Sequence, residues 1–419
     1  MKSIVQIFAS RRMFVMLLLG FSAGIPYALT AGTLQAWLTT ENVDIKTIGL
    51  FALVGIPYNW KFVWAPFMDR YFPKFLGRRR GWMILTQAGL AAAIAGMALT
   101  SPSMNIHTVA IMATLVAFFS SSQDIVIDAY RTEALEKEEY GAGSATYIMG
   151  YRLAMLVSGA LALAMADHYS WKTVYLFMSA TIVVGVIGTL IGPEPETPRA
   201  PNTLRSAVID PLREFFGRRG AWEIVVFILL YKLDTNLATA LMTKFFLDLG
   251  FTKTDIAAVT KVFGLIATIV GTLIGGAMIP KMGMKRSLIV FGILQGATTL
   301  LFYMMVHLGA NYWGLIATIA GENLAAGMGT AAYAAFLMAQ CNQKFTATQY
   351  ALLTSLMAVP TKILSAPTGY LQAAVGWDHY FIISTLTGIP ALLMLARFDR
   401  WNRPADDEEG FVSAAPARS

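Results

Sequence analysis

The chain has 419 residues, 56% of them hydrophobic and only 14% charged, with a formal net charge of +7 and one cysteine. Soluble domains carry about 25% charged residues, so this composition excludes a soluble globular protein and describes a polytopic membrane protein. A lone Cys341 excludes a disulfide framework and a cysteine metal cluster, and the basic residues lie in loops between apolar runs, which is the pattern of cytoplasmic loops rather than of a nucleic-acid surface.

The N-terminus, MKSIVQIFASRR, is basic and leads into an apolar run of spanning length without a small-residue cleavage site. It reads as a retained first helix, because a signal peptide has a shorter apolar core. Hydropathy then predicts spans at 12–36, 46–66, 82–100, 107–132, 143–166, 172–191, 222–246, 254–279, 286–306, 312–338, 347–373 and 378–397. Between the sixth and seventh, PEPETPRAPNTLRSAVIDPLREFFGRRG is too polar to span, and its second half suits a helix on the membrane surface. The predicted architecture is all-α: an N-terminal six-helix half (1–192), a connecting segment (193–221), a C-terminal six-helix half (222–398) and a disordered tail (399–419).

Lys and Arg crowd the N-terminus, the loop with Arg78, Arg79 and Arg80, the central connection, the loop with Lys281, Lys285 and Arg286, and the tail with Arg397, Arg400 and Arg403. The opposite loops hold little beyond Lys46, Lys172 and Lys253. With an even number of spans, this asymmetry predicts that both termini are cytoplasmic. His107, His168, His307 and His379 fall in or beside the far-side loops, so none sits in mid-membrane as a proton carrier.

Two loops repeat at equivalent places in the halves: APFMDRYFPKFLGRRRGW after span two and GGAMIPKMGMKRSL after span eight. The first resembles the signature loop of the major facilitator superfamily, an acid followed by Gly and several Arg, with four extra residues in the spacing. The resemblance implies parallel six-helix halves and gives Asp69 and Arg78, Arg79 and Arg80 the role of an ion-paired latch on the cytoplasmic ends, with Lys285 and Arg286 as the second-half counterpart. The plainer alternative is an anchor for the positive side.

A charge at a helix centre costs about 2.5–3.5 kcal/mol on insertion scales, so it faces the bundle interior and needs a partner. The spans contain Lys61, Asp124, Asp128, Arg131, Arg152, Lys232, Asp234, Lys261, Glu322 and Lys362. Snorkelling to an interface is the alternative for Lys61 and Arg131. In SSSQDIVIDAYRTEAL, at about 100° per residue, Asp124, Asp128 and Arg131 share a narrow arc with Gln123 on its flank. Glu133 points away near the cytoplasmic end, where loop arginines are its expected partners. Asp124 and Asp128 repel if both are ionised, so one is protonated or held by Arg131 or a lysine. Such an acid fits proton coupling, with Asp124 favoured because it lies deeper; the alternative is a structural ion-pair network.

In the second half, Tyr231, Lys232, Asp234 and Asn236 lie in span seven, the expected mate of span one. Glu322 and Asn323 stand beside glycines in span ten, with Glu322 placed toward its outer end, as a substrate contact, gate or structural group. With Lys261 and Lys362, cations outnumber acids in the centre, which favours an anionic substrate. Tyr27, Tyr58, Trp60, Trp64, Tyr147, Tyr151 and Tyr231 fall near these polar positions and suit sugars and peptides, whereas Trp37, Trp82, Trp171 and Trp377 read as interface residues. No Walker A, HExxH or GxSxG stretch is present, so no catalytic residue, metal site or cofactor is expected, and an ion gradient is the remaining energy source.

The stretches GIPYALTAGTLQAWL, SQDIVIDAYRTEAL, GYRLAMLVSGALAL, DPLREFFGRRGAW, LLYKLDTN, ENLAAGMGTAAYAAFLMAQCN and FTATQYALLTSL, in order between about residues 11 and 395, resemble the AmpG-type muropeptide permeases. These are major facilitator proteins of Gram-negative inner membranes, more distantly related to acetyl-CoA transporters. The resemblance implies proton-driven import of N-acetylglucosaminyl-1,6-anhydro-N-acetylmuramyl peptides from periplasm to cytosol. It also implies a role in peptidoglycan recycling and a link to beta-lactamase induction. Arg152, Lys232 or Lys261 would meet the ligand carboxylates and the aromatics its sugars. The expected partners are the muropeptide, protons and the bilayer, with no nucleic acid and a monomeric chain. The rival within the same fold is a carrier for another bulky anion, such as an acyl-CoA-like molecule or a siderophore.

Overall fold

Apolar runs interrupted by Gly and Pro fold here as helices of very unequal regularity. The computed structural model describes residues 4–71, 73, 76–195, 203–360 and 367–402. Lys362 and residues 403–419 of the predicted tail lie outside the described residues, as does the side chain of Lys261, whereas the tail's first residues are ordered, with Phe398–Trp401 helical and Trp401 buried in the aromatic packing.

The principal helices are α1 (Arg11–Leu29), α2 (Ala65–Arg70), α3 (Arg78–Ala98), α4 (Ile106–Ala134), α5 (Tyr140–Met155), α6 (Val183–Ile191), α7 (Leu204–Gly217), α8 (Ala221–Leu230), α9 (Leu233–Ala240), α10 (Gly264–Met282), α11 (Met284–Leu308), α12 (Tyr312–Ala339), α13 (Thr346–Val359), α14 (Thr368–Leu386) and α15 (Ile389–Ala396). Several starts have side-chain caps. Ser10 accepts from the Met13 N–H, Asn105 from the Thr108 N–H and Asn311 from the Gly314 N–H, each satisfying a donor that the first turn leaves free. Gly77 at φ 90° and Gly283 at φ 78° turn the chain into α3 and α11, a conformation open to glycine.

Among the described residues, nine helical stretches are long and apolar enough to cross a membrane. A tenth is counted if α12 and the segment Gln343–Val359, bent by 98°, form one span. The predicted span 46–66 is not a regular helix. It breaks into Ile45–Leu50, a 3₁₀ turn at Phe51–Gly55, Ile56–Trp60 and a second 3₁₀ turn at Lys61–Val63 before α2. Pro57 and Pro66 remove backbone donors there, and a helix so interrupted settles into short turns. Span seven is likewise broken at Lys232 and Leu241. π-helical turns at Leu156–Leu161 and Ala257–Phe263 interrupt two more of the predicted spans.

The chain forms two compact units. The first contains Met1–Glu136, Thr146–Pro211 and Gln343–Ser355. Its helices approach through glycines: a Cβ on Gly20 would sit 2.1 Å from the Tyr147 carbonyl oxygen, and one on Gly150 would sit 2.2 Å from that of Leu17. This reciprocal α1–α5 crossing is the close packing that small residues permit between membrane helices. Its apolar core includes Trp37, which is buried and ring-stacked on Trp171 at 6.1 Å, so Trp37 is a core residue rather than an interface anchor.

The second unit contains Lys137–Ala145, Leu212–Asn342 and Leu356–Ser419. The α10–α12 crossing repeats the same device, with Gly271 against the Leu324 carbonyl and Gly327 against that of Thr268. An aromatic core of Phe245, Phe246, Phe302 and Phe381 includes a near-parallel Phe302–Phe381 stack at 5.3 Å. These rings fill the space that larger aliphatic layers fill elsewhere.

Candidate functional site: two polar clusters of the first unit and one of the second

The first cluster is built on α4, whose 29 residues carry the polar arc at helical spacing. Asp128 is buried and doubly paired. Lys61 Nζ lies 3.6 Å from its Oδ2, and Arg131 Nη2 donates to its Oδ1 at 3.0 Å. Arg131 also donates to the Tyr350 hydroxyl at 2.6 Å and lies over the Tyr147 ring at 4.4 Å. Lys61 and Arg131 are therefore buried partners of an acid and do not snorkel to an interface.

Asp124, one turn away, differs. Its Oδ1 is buried and has no hydrogen-bond partner. The two aspartates share an arc but differ in direct partners: Asp128 is ion-paired with two cations, and Asp124 has a buried oxygen that accepts no hydrogen bond. Such a group is costly to keep charged in an apolar surrounding.

Around this pair, Gln123 is fully buried and accepts a hydrogen bond from Ser22 Oγ at 3.3 Å, so its carbonyl end links α4 to α1. Tyr58 is half-buried against the apolar core, and Tyr27 is exposed and packs on Tyr151 at 6.4 Å. Arg152 is half-buried on α5. Trp64 donates Nε1 to Ser122 Oγ at 3.0 Å, directly beside Gln123 in the chain.

The second cluster gathers at the start of α3. Asp69 is fully buried, and its Oδ1 accepts from Arg78 Nη2 and Arg79 Nη2, each at 2.9 Å. Its Oδ2 accepts from the Thr348 N–H at 2.8 Å and the Thr348 hydroxyl at 2.7 Å. Arg79 in turn holds Glu133 through Nη2 at 2.6 Å and Nε at 2.8 Å, the pairing with a loop arginine anticipated for Glu133. Charge-assisted and bidentate bonds of this kind are the strong class. Arg80 takes no part in the acid pairing; it donates to the Thr189 and Leu190 carbonyls at the end of α6.

Three residues of these clusters were not singled out from sequence. Glu194 accepts from the backbone N–H groups of Arg79 and Arg80 at 2.7 and 3.0 Å, capping the N-terminus of α3 with a carboxylate where the helix dipole favours one. No local sequence signal pointed to this, because Glu194 stands 115 positions from the Arg79 it caps. Thr348 and Tyr350 carry no sequence signal at all, because their roles depend on α13 packing within the first unit.

In the second unit, Glu322 lies well inside α12 rather than at its outer end. Its Oε2 accepts from Thr298 Oγ1 at 3.2 Å, and its Oε1 is buried with no hydrogen-bond partner. Lys232 donates to the Ala326 carbonyl at 3.1 Å and to Thr330 Oγ1 at 2.9 Å, so the break between α8 and α9 is tied to α12. Asp234 is buried in the first turn of α9, close enough that a Cβ on Gly388 would lie 3.1 Å from its Oδ2.

Tyr231 is a core residue. It is 3% exposed, donates to the Leu288 carbonyl at 3.0 Å and packs on Tyr333 at 5.4 Å. Both ends of the Asn323 amide serve helix packing, one accepting from Thr268 and the other donating to the Ile319 carbonyl. Asn236 is half-buried on α9. The second-half loop does not reproduce the buried latch: Lys285 pairs with Asp399 at the surface and Arg286 is exposed. No acid stands in that loop where Asp69 stands in the first.

Among the described residues, no group of His, Cys, Asp and Glu is placed to hold a metal ion. The site is one of buried charge.

Residues 16–363 match the Major Facilitator Superfamily. The chain is 46% identical over 393 residues to the anhydromuropeptide permease of Escherichia coli (strain K12), covering 93% of this chain and 80% of that one. Among solved structures, the proton:xylose symporter XylE superposes with a TM-score of 0.73 at 13% identity, covering 97% of this chain and 99% of that one. The E. coli fucose:proton symporter FucP superposes with a TM-score of 0.71 at 12% identity, over 96% of this chain and 100% of that one. At such identities these two establish the fold, and the permease and the family match establish the lineage. The chain belongs to the Major Facilitator Superfamily and, within it, to the AmpG-type permeases.

Proposed function

We propose that the protein is a muropeptide transporter that imports N-acetylglucosaminyl-1,6-anhydro-N-acetylmuramic acid and its peptides across the bacterial inner membrane. The observation that carries this reading is the 46% identity over nearly the whole chain to an anhydromuropeptide permease. In this proposal the chain crosses the membrane twelve times with both termini in the cytoplasm, works as a monomer, and performs no chemistry on its substrate. The proton gradient supplies the energy and no cofactor takes part. Recycled peptidoglycan is its cargo, and where an inducible beta-lactamase is present, the imported muropeptide feeds its induction.

Asp124 takes the coupling proton, since its buried Oδ1 accepts no hydrogen bond, while Asp128 stays bound between Lys61 and Arg131. Arg152, Lys232, Lys261 and Lys362 offer positive charge to the carboxylates of the lactyl peptide, and Tyr27, Tyr58 and Tyr147 offer faces to its sugars. Asp69, Arg78, Arg79 and Glu133 form the gate that opens and closes once per cycle.

Uptake of externally added labelled anhydro-disaccharide and anhydro-disaccharide tetrapeptide into proteoliposomes tests the reading. Accumulation of both against their gradient is expected under an imposed proton gradient, with collapse on adding an uncoupler. Folded protein that moves neither compound would defeat the substrate assignment, and accumulation that survives the uncoupler would defeat the coupling.

A further inference from the structure

The ends of two spanning stretches meet at a cleft that none of the roles above uses. One stretch begins at Ala221 with α8, and the other ends at Ala396 with α15. Glu223, Leu393, Met394, Arg397, Arg400 and Trp401 line a cleft of about 650 Å³ there, all within the second unit.

Its floor is built rigidly. Trp401 is buried, donates Nε1 to the Met394 carbonyl at 2.9 Å, and packs on Phe227 at 5.5 Å and Phe398 at 5.1 Å. Gly220, at φ 95°, lets the chain press against it: a Cβ there would lie 2.3 Å from the Trp401 carbonyl oxygen. The rim is the opposite in character. Arg397 and Arg400 are exposed, and neither forms an ion pair among the described residues; the nearby Asp399 is taken by Lys285.

Leu393 and Trp222 are 68% and 67% exposed beside the cleft. An exposed tryptophan at the ends of two spanning helices marks the level of the lipid headgroups. The cleft therefore joins an apolar wall on the hydrocarbon side to two guanidinium groups and one carboxylate on the water side. A planar guanidinium matches phosphate oxygens in a way that a lysine does not.

We propose that this cleft binds the headgroup of a phospholipid in the adjoining leaflet, with the phosphodiester between Arg397 and Arg400 and an acyl chain along Leu393 and Met394. Glu223 then selects a headgroup carrying a primary ammonium, phosphatidylethanolamine. The neutral glycerol of phosphatidylglycerol has no cation to pair with that carboxylate, and the trimethylammonium of phosphatidylcholine has no N–H to donate to it. The binding is independent of the transported substrate.

Native mass spectrometry of the full chain released from nanodiscs of phosphatidylethanolamine, phosphatidylglycerol or phosphatidylcholine tests this. Wild type is expected to retain phosphatidylethanolamine above the other two. Replacing Arg397 and Arg400 by Ala is expected to cut retention by about fivefold for each arginine removed. Glu223→Gln is expected to keep lipid bound while losing the preference for ethanolamine over choline headgroups. The pair Arg397→Lys and Arg400→Lys keeps the charge but removes the planar fork, so a smaller loss is expected there. Equal retention of all three lipids by wild type, unchanged retention in the alanine or lysine pair, a phosphatidylglycerol preference, displacement of lipid by inorganic phosphate alone, or a dimer occupying the cleft would each overturn the proposal.

Discussion

Asp124 and Asp128 stand one turn apart on α4, and the sequence gives no reason to treat them differently beyond depth. Their direct partners separate them, since Asp128 is ion-paired with Lys61 and Arg131 whereas Asp124 Oδ1 accepts no hydrogen bond. Asp124→Asn is expected to abolish gradient-driven accumulation while leaving substrate exchange across the membrane measurable; full accumulation in that variant would move the proton site elsewhere. At the latch, the same reasoning ranks two substitutions. Asp69→Asn strips the buried Arg78 and Arg79 of an anion, a loss expected to cost about 3–5 kcal/mol. Thr348→Val removes one hydroxyl donor while keeping the backbone N–H on Asp69, so about 1 kcal/mol is expected. Unfolding by denaturant in mild detergent reads both, and similar losses in the two variants would contradict the ranking. The acid and basic residues of this latch were legible in the loop motif. Thr348 was not, because a threonine some 280 positions along the chain becomes a partner of Asp69 only once the chain has folded.

Among elements, α4, α11 and α12 fall close to their predicted bounds, although α4 carries Asp124, Asp128 and Arg131 and α12 carries Glu322. Two predicted spans are broken instead. The stretch 46–66 breaks into short turns, and Lys232 interrupts span seven so that its ammonium reaches α12. Hydropathy sees the composition of such a segment, whereas regularity depends on whether neighbours supply partners for the backbone groups that each break frees. The glycine crossings carry their own prediction. Gly20→Ala would drive a methyl group into the Tyr147 carbonyl, forcing α1 and α5 apart at a cost expected to be about 1–3 kcal/mol. Gly49→Ala, where nothing lies within 4 Å, is the control and is expected to be neutral or slightly stabilising. Comparable thermal destabilisation in both would show that helix propensity, not close approach, governs these positions.

For the whole molecule, each compact unit includes a segment drawn from the other half of the sequence: Gln343–Ser355 in the first and Lys137–Ala145 in the second. A chain of residues 1–211 alone would lack Thr348 and Tyr350, leaving Asp69 and Arg131 without partners that the native first unit provides. It is expected to aggregate in size-exclusion chromatography, and co-expression with residues 212–419 is expected to restore a monodisperse species; a well-behaved 1–211 fragment would contradict this. Sequence by itself determined the membrane class, the helical content, the family and many of the buried charges, though not Glu139 or Arg218. Composition and local spacing control these, because no charge enters an apolar helix without a compensating reason. Only the tertiary structure decided which aspartate takes Lys61 and Arg131, that Thr348 binds Asp69, that Tyr231 and Trp37 belong to the core, that Glu194 caps α3, and that Asp124 Oδ1 accepts no hydrogen bond. Pairing is a property of distances between segments remote in the chain, and no periodicity within a single segment encodes them.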